Sequence, residues 1–336
     1  MIRRQVDLEK LYRFPVESWG REISCVTPQP EVSRWPTWGT HFLQFKLPMT
    51  TVRLTGLSSA QYDALKDTYP DFIAEVDPNI EEKEDFVCQA YRLDHPPTVS
   101  PGMLTLDGQY APRSIRREGC GIELTGINFE AQIGLGPSPA VSSLGVTLEH
   151  EFHQANVIEN FLRVYTAHRA LELGGVMLHS AGLVFDDQAY IFSGRSNAGK
   201  TTLTRKAYAI EARILSDDIN LVLPGKNGYQ AHAVPFTGEF GRTLDHRGGK
   251  ETYPVAGIVL LEQSDSLSTE PVNQSAAVAR LLTGSPFVNT DVEESEKLFD
   301  AVTGLVAQVP VIRVLSRRDD KIDAIMHAVK SGFKHE

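Results

Sequence analysis

Gly194, Gly199, Lys200 and Thr201 stand at the spacing G-x-x-x-x-G-K-[ST] within Gly194-Arg195-Ser196-Asn197-Ala198-Gly199-Lys200-Thr201-Thr202. Glycines at both ends of such a loop let the backbone wrap a polyphosphate with its N–H groups pointing inward. A helix opening near Gly199 would add the positive end of its dipole. In this reading Lys200 reaches the β- and γ-phosphates of a nucleoside triphosphate, and the Thr201 hydroxyl ligates Mg²⁺.

Downstream, Ser216-Asp217-Asp218 ends one apolar run and precedes another, Ile219–Leu223. Paired carboxylates beside a phosphate loop suit phosphoryl transfer: one holds the metal shell and the other takes a proton from an attacking hydroxyl. Two like charges side by side also raise the pKa of one member. An isolated Asp-Asp pair equally makes a plain turn. Upstream, His179 interrupts the apolar stretch Val176–Phe185. Alone it reads as a core histidine bonded to a carbonyl; beside the loop-feeding strand it becomes a candidate site residue. Glu239 and Arg242, then His246, Arg247 and Lys250, offer charges on a glycine-rich segment that suits a phosphate or an ordinary solvated loop.

Local patterns place these residues. Gln188–Phe192 reads as the strand that feeds the loop, and Asp186-Asp187 as a tight turn joining it to Val176–Phe185. A hairpin ahead of the loop departs from the usual nucleotide-binding order, in which a helix crossover follows the first strand. A helix is expected from Gly199 through Ala209. Ala155–Leu173 has Val157, Phe161, Val164, His168 and Leu171 on one helical face, with Gly174-Gly175 as its stop. Val255–Leu261 reads as a buried strand, Ser275–Leu282 and Val292–Val306 as helices, Pro310–Leu315 as a strand and Lys321–Val329 as a last helix.

The first half offers no chemical constellation. His41–Leu47 and Thr51–Leu54 alternate as strands, and Ser58 or Ser59 caps a helix ended by Pro70. Asp85–Leu93, Met103–Leu106 and Gly121–Glu130 are further strand candidates, giving a small α+β domain over 1–150 and a nucleotide-binding domain over 151–336.

The 336 residues carry a formal net charge of −10, with 41% hydrophobic and 23% charged residues. That acidity argues against nucleic acid or an anionic membrane as the main partner, while leaving room for a local basic pocket. Cys25, Cys88 and Cys120 form no C-x-x-C pair and read as reduced thiols. With no signal-like segment or bilayer-length apolar run in the sequence, the expected location is the cytoplasm.

The order Leu178-His179-Ser180, hairpin, Gly194–Thr202, helix, Ser216-Asp217-Asp218 resembles the catalytic domain of HPr kinase/phosphorylase and its HPr kinase-like relatives over roughly 160–330. The resemblance implies an α/β fold: a P-loop kinase domain of the HPr kinase/phosphoenolpyruvate carboxykinase type, here behind a smaller α+β domain. It implies ATP and Mg²⁺ as cofactors, Lys200 at the phosphates, Asp217 as base, Asp218 beside it in the metal shell, His179 in the active site, Glu239 as a further metal ligand, and a homo-oligomer. The expected activity is phosphoryl transfer to a hydroxyl, of Ser or Thr in a protein or peptide or of a small free-serine-like metabolite. A nucleotide-binding regulatory or maturation protein with little turnover is the competing class.

Overall fold

The computed structural model describes residues 36–74, 86–98, 112–117, 121–135, 140–195, 197–238, 240–243, 252–289 and 291–334. Ser196, Glu239, His246, Arg247, Lys250, Cys25, Cys120 and the strand expected over Met103–Leu106 lie outside the described residues.

The first half builds one sheet. Its elements are β1 (His41–Leu47), β2 (Thr50–Leu57), α1 (Ser59–Thr68), β3 (Ile73–Ala74), β4 (Phe86–Arg92), β5 (Arg113–Arg117), β6 (Gly121–Gly126), β7 (Phe129–Ile133) and β8 (Ala140–Val146). The eight strands run in the order β3-β1-β2-β4-β8-β7-β6-β5, antiparallel except where β4 lies parallel to both β2 and β8. α1 starts as its sequence predicts: Ser58 Oγ accepts from Gln61 N, and Gln61 Oε1 accepts from Ser58 N. This reciprocal box satisfies two helix-end donors. The single strand expected over Gly121–Glu130 is instead the β6–β7 hairpin, because Asn128 adopts a φ of 68° and turns the chain. Asparagine tolerates that left-handed conformation.

The second half runs α2 (Ala155–Glu172), β9 (Val176–Phe185), β10 (Gln188–Ser193), α3 (Lys200–Ala209), β11 (Arg213–Ser216), β12 (Ile219–Gly225), β13 (Gly228–His232), β14 (Thr252–Gln263), β15 (Ser268–Pro271), α4 (Gln274–Thr283), α5 (Ser295–Gln308), β16 (Val311–Ser316) and α6 (Ile322–Gly332). Its strands pair in the order β10-β9-β12-β13-β14-β16-β15, and β14 also pairs with β10. The ring β10–β9–β12–β13–β14 therefore closes into a five-stranded barrel. Two long strands make the corners. The start of β9 (Val176–His179) pairs with β12 while its later part (Ser180–Phe185) pairs with β10. β14 pairs with β13 at its start, then runs parallel to β10 and β16.

Asp186 and Asp187, with φ of 52° and 58°, make the two-residue turn between β9 and β10. Positive φ at both central positions is the hairpin turn that matches strand twist. β10 is apolar on both faces because both are covered. Tyr190 and Phe192 pack in a cluster with Leu203 of α3 and Ile325 of α6, whereas Ala189 and Ile191 face the larger core.

That larger core runs without a break through both halves, from Phe45 and Phe86 through Phe161 to Leu305. α2 is the shared element: Val157, Phe161, Val164, His168 and Leu171 are buried as expected, and so are Ile158, Leu162, Tyr165 and Ala170 on its other sides. A helix wedged between two sheets has little free perimeter, which the one-face pattern does not reveal. Phe86 contacts both Phe161 and Tyr165, the latter at 3.9 Å between ring centroids. No helix among the described residues is long and apolar enough to cross a membrane.

Candidate functional site

The loop after β10 is shaped by its glycines. A Cβ on Gly194 would lie 2.8 Å from both the Ala198 Cβ and the Leu261 carbonyl oxygen. Gly199, at φ 104°, is the residue before α3, and a Cβ there would meet nothing within 4 Å. The backbone thus bends tightly against β14 on one side and faces open space on the other. Lys200 opens α3 and is buried; its ammonium donates to the carbonyls of Gly194 (2.7 Å) and Arg195 (3.2 Å). Burial lowers its pKa, and the Asp218 charge partly offsets that. A desolvated ammonium held by neutral carbonyls gains from an anionic partner.

Asp217 and Asp218 occupy the bend between β11 and β12. Ser216 Oγ donates to the Phe236 carbonyl and accepts from the N–H groups of Asp218 and Ile219, which fixes the bend. The two carboxylates then diverge. Asp217 is buried, and its oxygens accept from Gly238 N (2.6 Å) and Gly241 N (3.0 Å). A Cβ on Gly238 would sit 2.6 Å from the Asp217 carboxylate, and one on Gly241 would fall inside contact distance of it. Asp217 therefore holds Gly238 and Gly241 together, and both glycines are needed for the clamp to close.

Asp218 is partly exposed and faces two bases. Its Oδ2 lies 3.2 Å from the Arg163 guanidinium on α2, and its Oδ1 lies 3.5 Å from His179 Nε2 on β9. His179 is placed by β-sheet register: it pairs with Ile219, the residue after Asp218. Its N–H donates to the Gly284 carbonyl, while the N–H of Ser180 donates to that of Asp218.

A cleft of about 850 Å³ brings these groups together. His179, Asn197, Ala198, Gly199, Lys200, Thr201, Thr202, Asp217 and Asp218 all line it. Gly194 and Arg195 meet it through the carbonyls that hold Lys200. Ser196 and Glu239 belong to the same two segments but lie outside the described residues. Arg205, Lys206, Arg317 and Arg318 also line the wall. With Lys200 they make a basic pocket in an acidic chain, a setting that suits a polyanion. Sequence patterns do not mark Arg317 and Arg318, which follow β16 more than 110 positions after the loop. Lys206 brings that segment in by donating to the Arg318 and Asp320 carbonyls, both at 2.6 Å. Arg163 is unmarked as well; a helix-face pattern gives weight to apolar positions and none to a lone cation.

On the far side of Asp217 lies a second cavity, of about 660 Å³, between the two sheets. Lys46, Tyr69 and Phe72 of the first sheet's module face Glu159, Arg213 and Arg242 across it. Glu159 is buried, and burial pushes its pKa up while Arg163 and Arg242 pull it down. Elsewhere, His168, Asp291 and Glu294 bring potential ligand atoms within 4.8 Å of one another. Lys297 stands 3.1 Å from Glu294 and supplies positive charge there.

The architecture is thus an α/β protein whose barrel carries a strand–loop–helix unit at the mouth of a cation-lined cleft. The chain belongs to the SynChlorMet cassette protein ScmC family, whose model matches residues 143–319. The match spans α2, the barrel, the loop and both aspartates. No curated protein matches the chain.

Proposed function

We propose that this protein is an ATP- and Mg²⁺-dependent phosphotransferase that moves the γ-phosphoryl group to a hydroxyl, that of Ser or Thr in a protein or peptide. The observation carrying this reading is the convergence of Lys200, Thr201, Asp218 and His179, from three separate segments, on one basic cleft. The open face beside Gly199 and the N-terminus of α3 suit the phosphates, and the Thr201 hydroxyl suits the metal, for which the family resemblance also implies Glu239. The hairpin order of β9 and β10 supports the HPr kinase/phosphoenolpyruvate carboxykinase type of nucleotide fold, and the proposed setting is the cytoplasm.

In the reaction, the bond from the γ-phosphorus to the bridging oxygen breaks and a new bond to the acceptor oxygen forms. The hydroxyl proton passes to a carboxylate, and ADP leaves. Lys200 and the loop N–H groups hold charge on the transferred group, so the catalysis is mainly positioning and electrostatic. Of the two aspartates, Asp218 is the better placed proton acceptor, because Asp217 is buried with both oxygens on backbone N–H groups whereas Asp218 is partly exposed to the cleft and its Oδ1 makes only a 3.5 Å contact with His179.

The cavity beyond Asp217 favours a peptide or protein over a free amino acid. Its 660 Å³ falls in the range of roughly 300–1,000 Å³ seen for sites that hold drug-sized ligands, and a free serine would fill little of it. The test is incubation with γ-labelled ATP and Mg²⁺ against serine- and threonine-containing peptides and free serine, with Lys200→Ala as control. Label should pass to a peptide or protein and be lost in the control. Nucleotide binding with neither hydrolysis nor transfer to any acceptor would point to a regulatory binding protein instead.

A further inference from the structure

We infer that Arg163 is the positioning residue for Asp218, and that Glu159 and Tyr69 hold Arg163 in place. The inference rests on the phosphotransferase reading for its consequence and on separate geometry for its substance.

Three acceptors converge on one terminal nitrogen of Arg163: Glu159 Oε2 at 3.2 Å, Asp218 Oδ2 at 3.2 Å and the Thr237 carbonyl at 3.3 Å. Glu159 lies one helical turn earlier on α2, so the helix itself sets that spacing. The guanidinium also lies over the Phe236 ring, 5.8 Å from its centroid. Glu159 is fixed in turn from the first sheet's module, where the Tyr69 hydroxyl donates to Oε1 at 3.2 Å. Arg242, on the segment clamped by Asp217, reaches Glu159 Oε2 at 3.6 Å. The chain Tyr69–Glu159–Arg163–Asp218–His179 thus runs from one module to the other and ends in the cleft.

The physical consequence is orientation. With Oδ2 held by Arg163, Oδ1 is left directed toward His179 and the cleft. A short aspartate beside a carboxylate-rich bend would otherwise sample several rotamers, and Glu159 would repel it. The two N–H groups on that nitrogen are shared among the three acceptors, so movement of any one of them disturbs the others. Tyr69 extends the device into the wall of the second cavity, so the first module takes part in aiming the base.

Two measurements decide the matter. The first needs no activity: a double-mutant cycle of Arg163→Met, Asp218→Asn and the pair, read by thermal unfolding. Significant coupling between the two positions is expected, and additivity of the two changes would overturn the inference whatever the protein's reaction. The second uses the transfer assay. Arg163→Ala should lower kcat by about 10- to 100-fold, the size typical when an orienting group is lost, with KM for MgATP little changed. Millimolar guanidinium should restore a measurable part of that rate, where equal ammonium or sodium chloride does not. Folded Arg163→Ala protein with unchanged kcat, or a loss that guanidinium cannot repair, would reduce Arg163 to a structural ion pair. Absence of transfer by the wild-type chain would count against the phosphotransferase reading alone, and the cycle would then decide the role of Arg163 by itself.

Discussion

The two cavities that share Asp217 differ in how they are made. The cleft beside Lys200 takes consecutive residues Asn197–Leu203 from one loop and helix start, with cations, both aspartates and a few apolar side chains around them. The inter-sheet cavity draws on segments as distant as Lys46 and Thr252, mixes both charge signs with apolar walls, and exists only because α2 brings two sheets together. The first has a local loop at its centre, with walls brought in from segments as distant as His179 and Arg318. The second depends on the assembly of the whole fold. In the proposed reaction the cleft takes the part common to many enzymes, the nucleotide phosphates, and the cavity takes the part particular to this one, the acceptor.

This contrast is tested most directly at Lys200. Lys200→Ala should abolish ATP turnover, and isothermal titration should show nucleotide affinity falling with no loss of thermal stability beyond a few degrees. Next in size, Phe161→Ala removes a buried ring of α2 that faces Phe86 and should cost about 3–5 kcal/mol. Because both sheets share that core, calorimetry should show one lowered transition; two separate transitions would mean that the cavity's walls belong to independent bodies.

The aspartates divide the two cavities more finely. Asp218→Asn should leave folding intact and cut transfer by about 10²–10⁴-fold, the usual contribution of general base catalysis. Asp217→Asn turns one oxygen into a donor aimed at a backbone N–H and should destabilise the 238–241 segment by about 1–3 kcal/mol. Limited proteolysis after Gly238 would detect it. If Asp217→Asn instead loses transfer with that segment unchanged, the base belongs to Asp217.

The smallest effect concerns Glu159. Burial raises its folded pKa above the unfolded value, so its contribution to stability is present at low pH and is lost as pH rises through the folded pKa. Wild-type protein should therefore lose more stability than Glu159→Gln between pH 4.5 and 7. Equal slopes in denaturant titrations would show that the arginines fully compensate its burial.

Part of this architecture is legible in the sequence, for local reasons. Ser58 with Gln61 marks the start of α1, and Asp186-Asp187 and Gly199 mark turns whose φ values the backbone adopts. Glu211 and Asn128, also at positive φ, carry no such flag, and strand alternation runs straight through the β6–β7 turn. The apolar face of α2 is correct yet incomplete, since burial on its remaining sides comes from a second sheet. Of the site, Lys200, Asp217, Asp218 and His179 are marked by residue type and order, and all four line the cleft. Their division of labour is not marked, because it depends on Gly238, Gly241 and Arg163.

By itself, then, the sequence determined the glycine-bounded loop that leads into α3, the hairpin that feeds it and the carboxylates that follow. Each of these is written in residues a few positions apart, where glycine freedom, turn chemistry and strand alternation act directly. Tertiary structure alone decided that β9 and β14 close a barrel, that Arg317 and Arg318 join the cleft, and that one aspartate clamps a backbone while its neighbour faces Arg163 and His179. Those outcomes rest on contacts between residues up to more than a hundred positions apart. Hydrophobic burial around α2 brings them together, and no local pattern encodes which cation will meet which carboxylate.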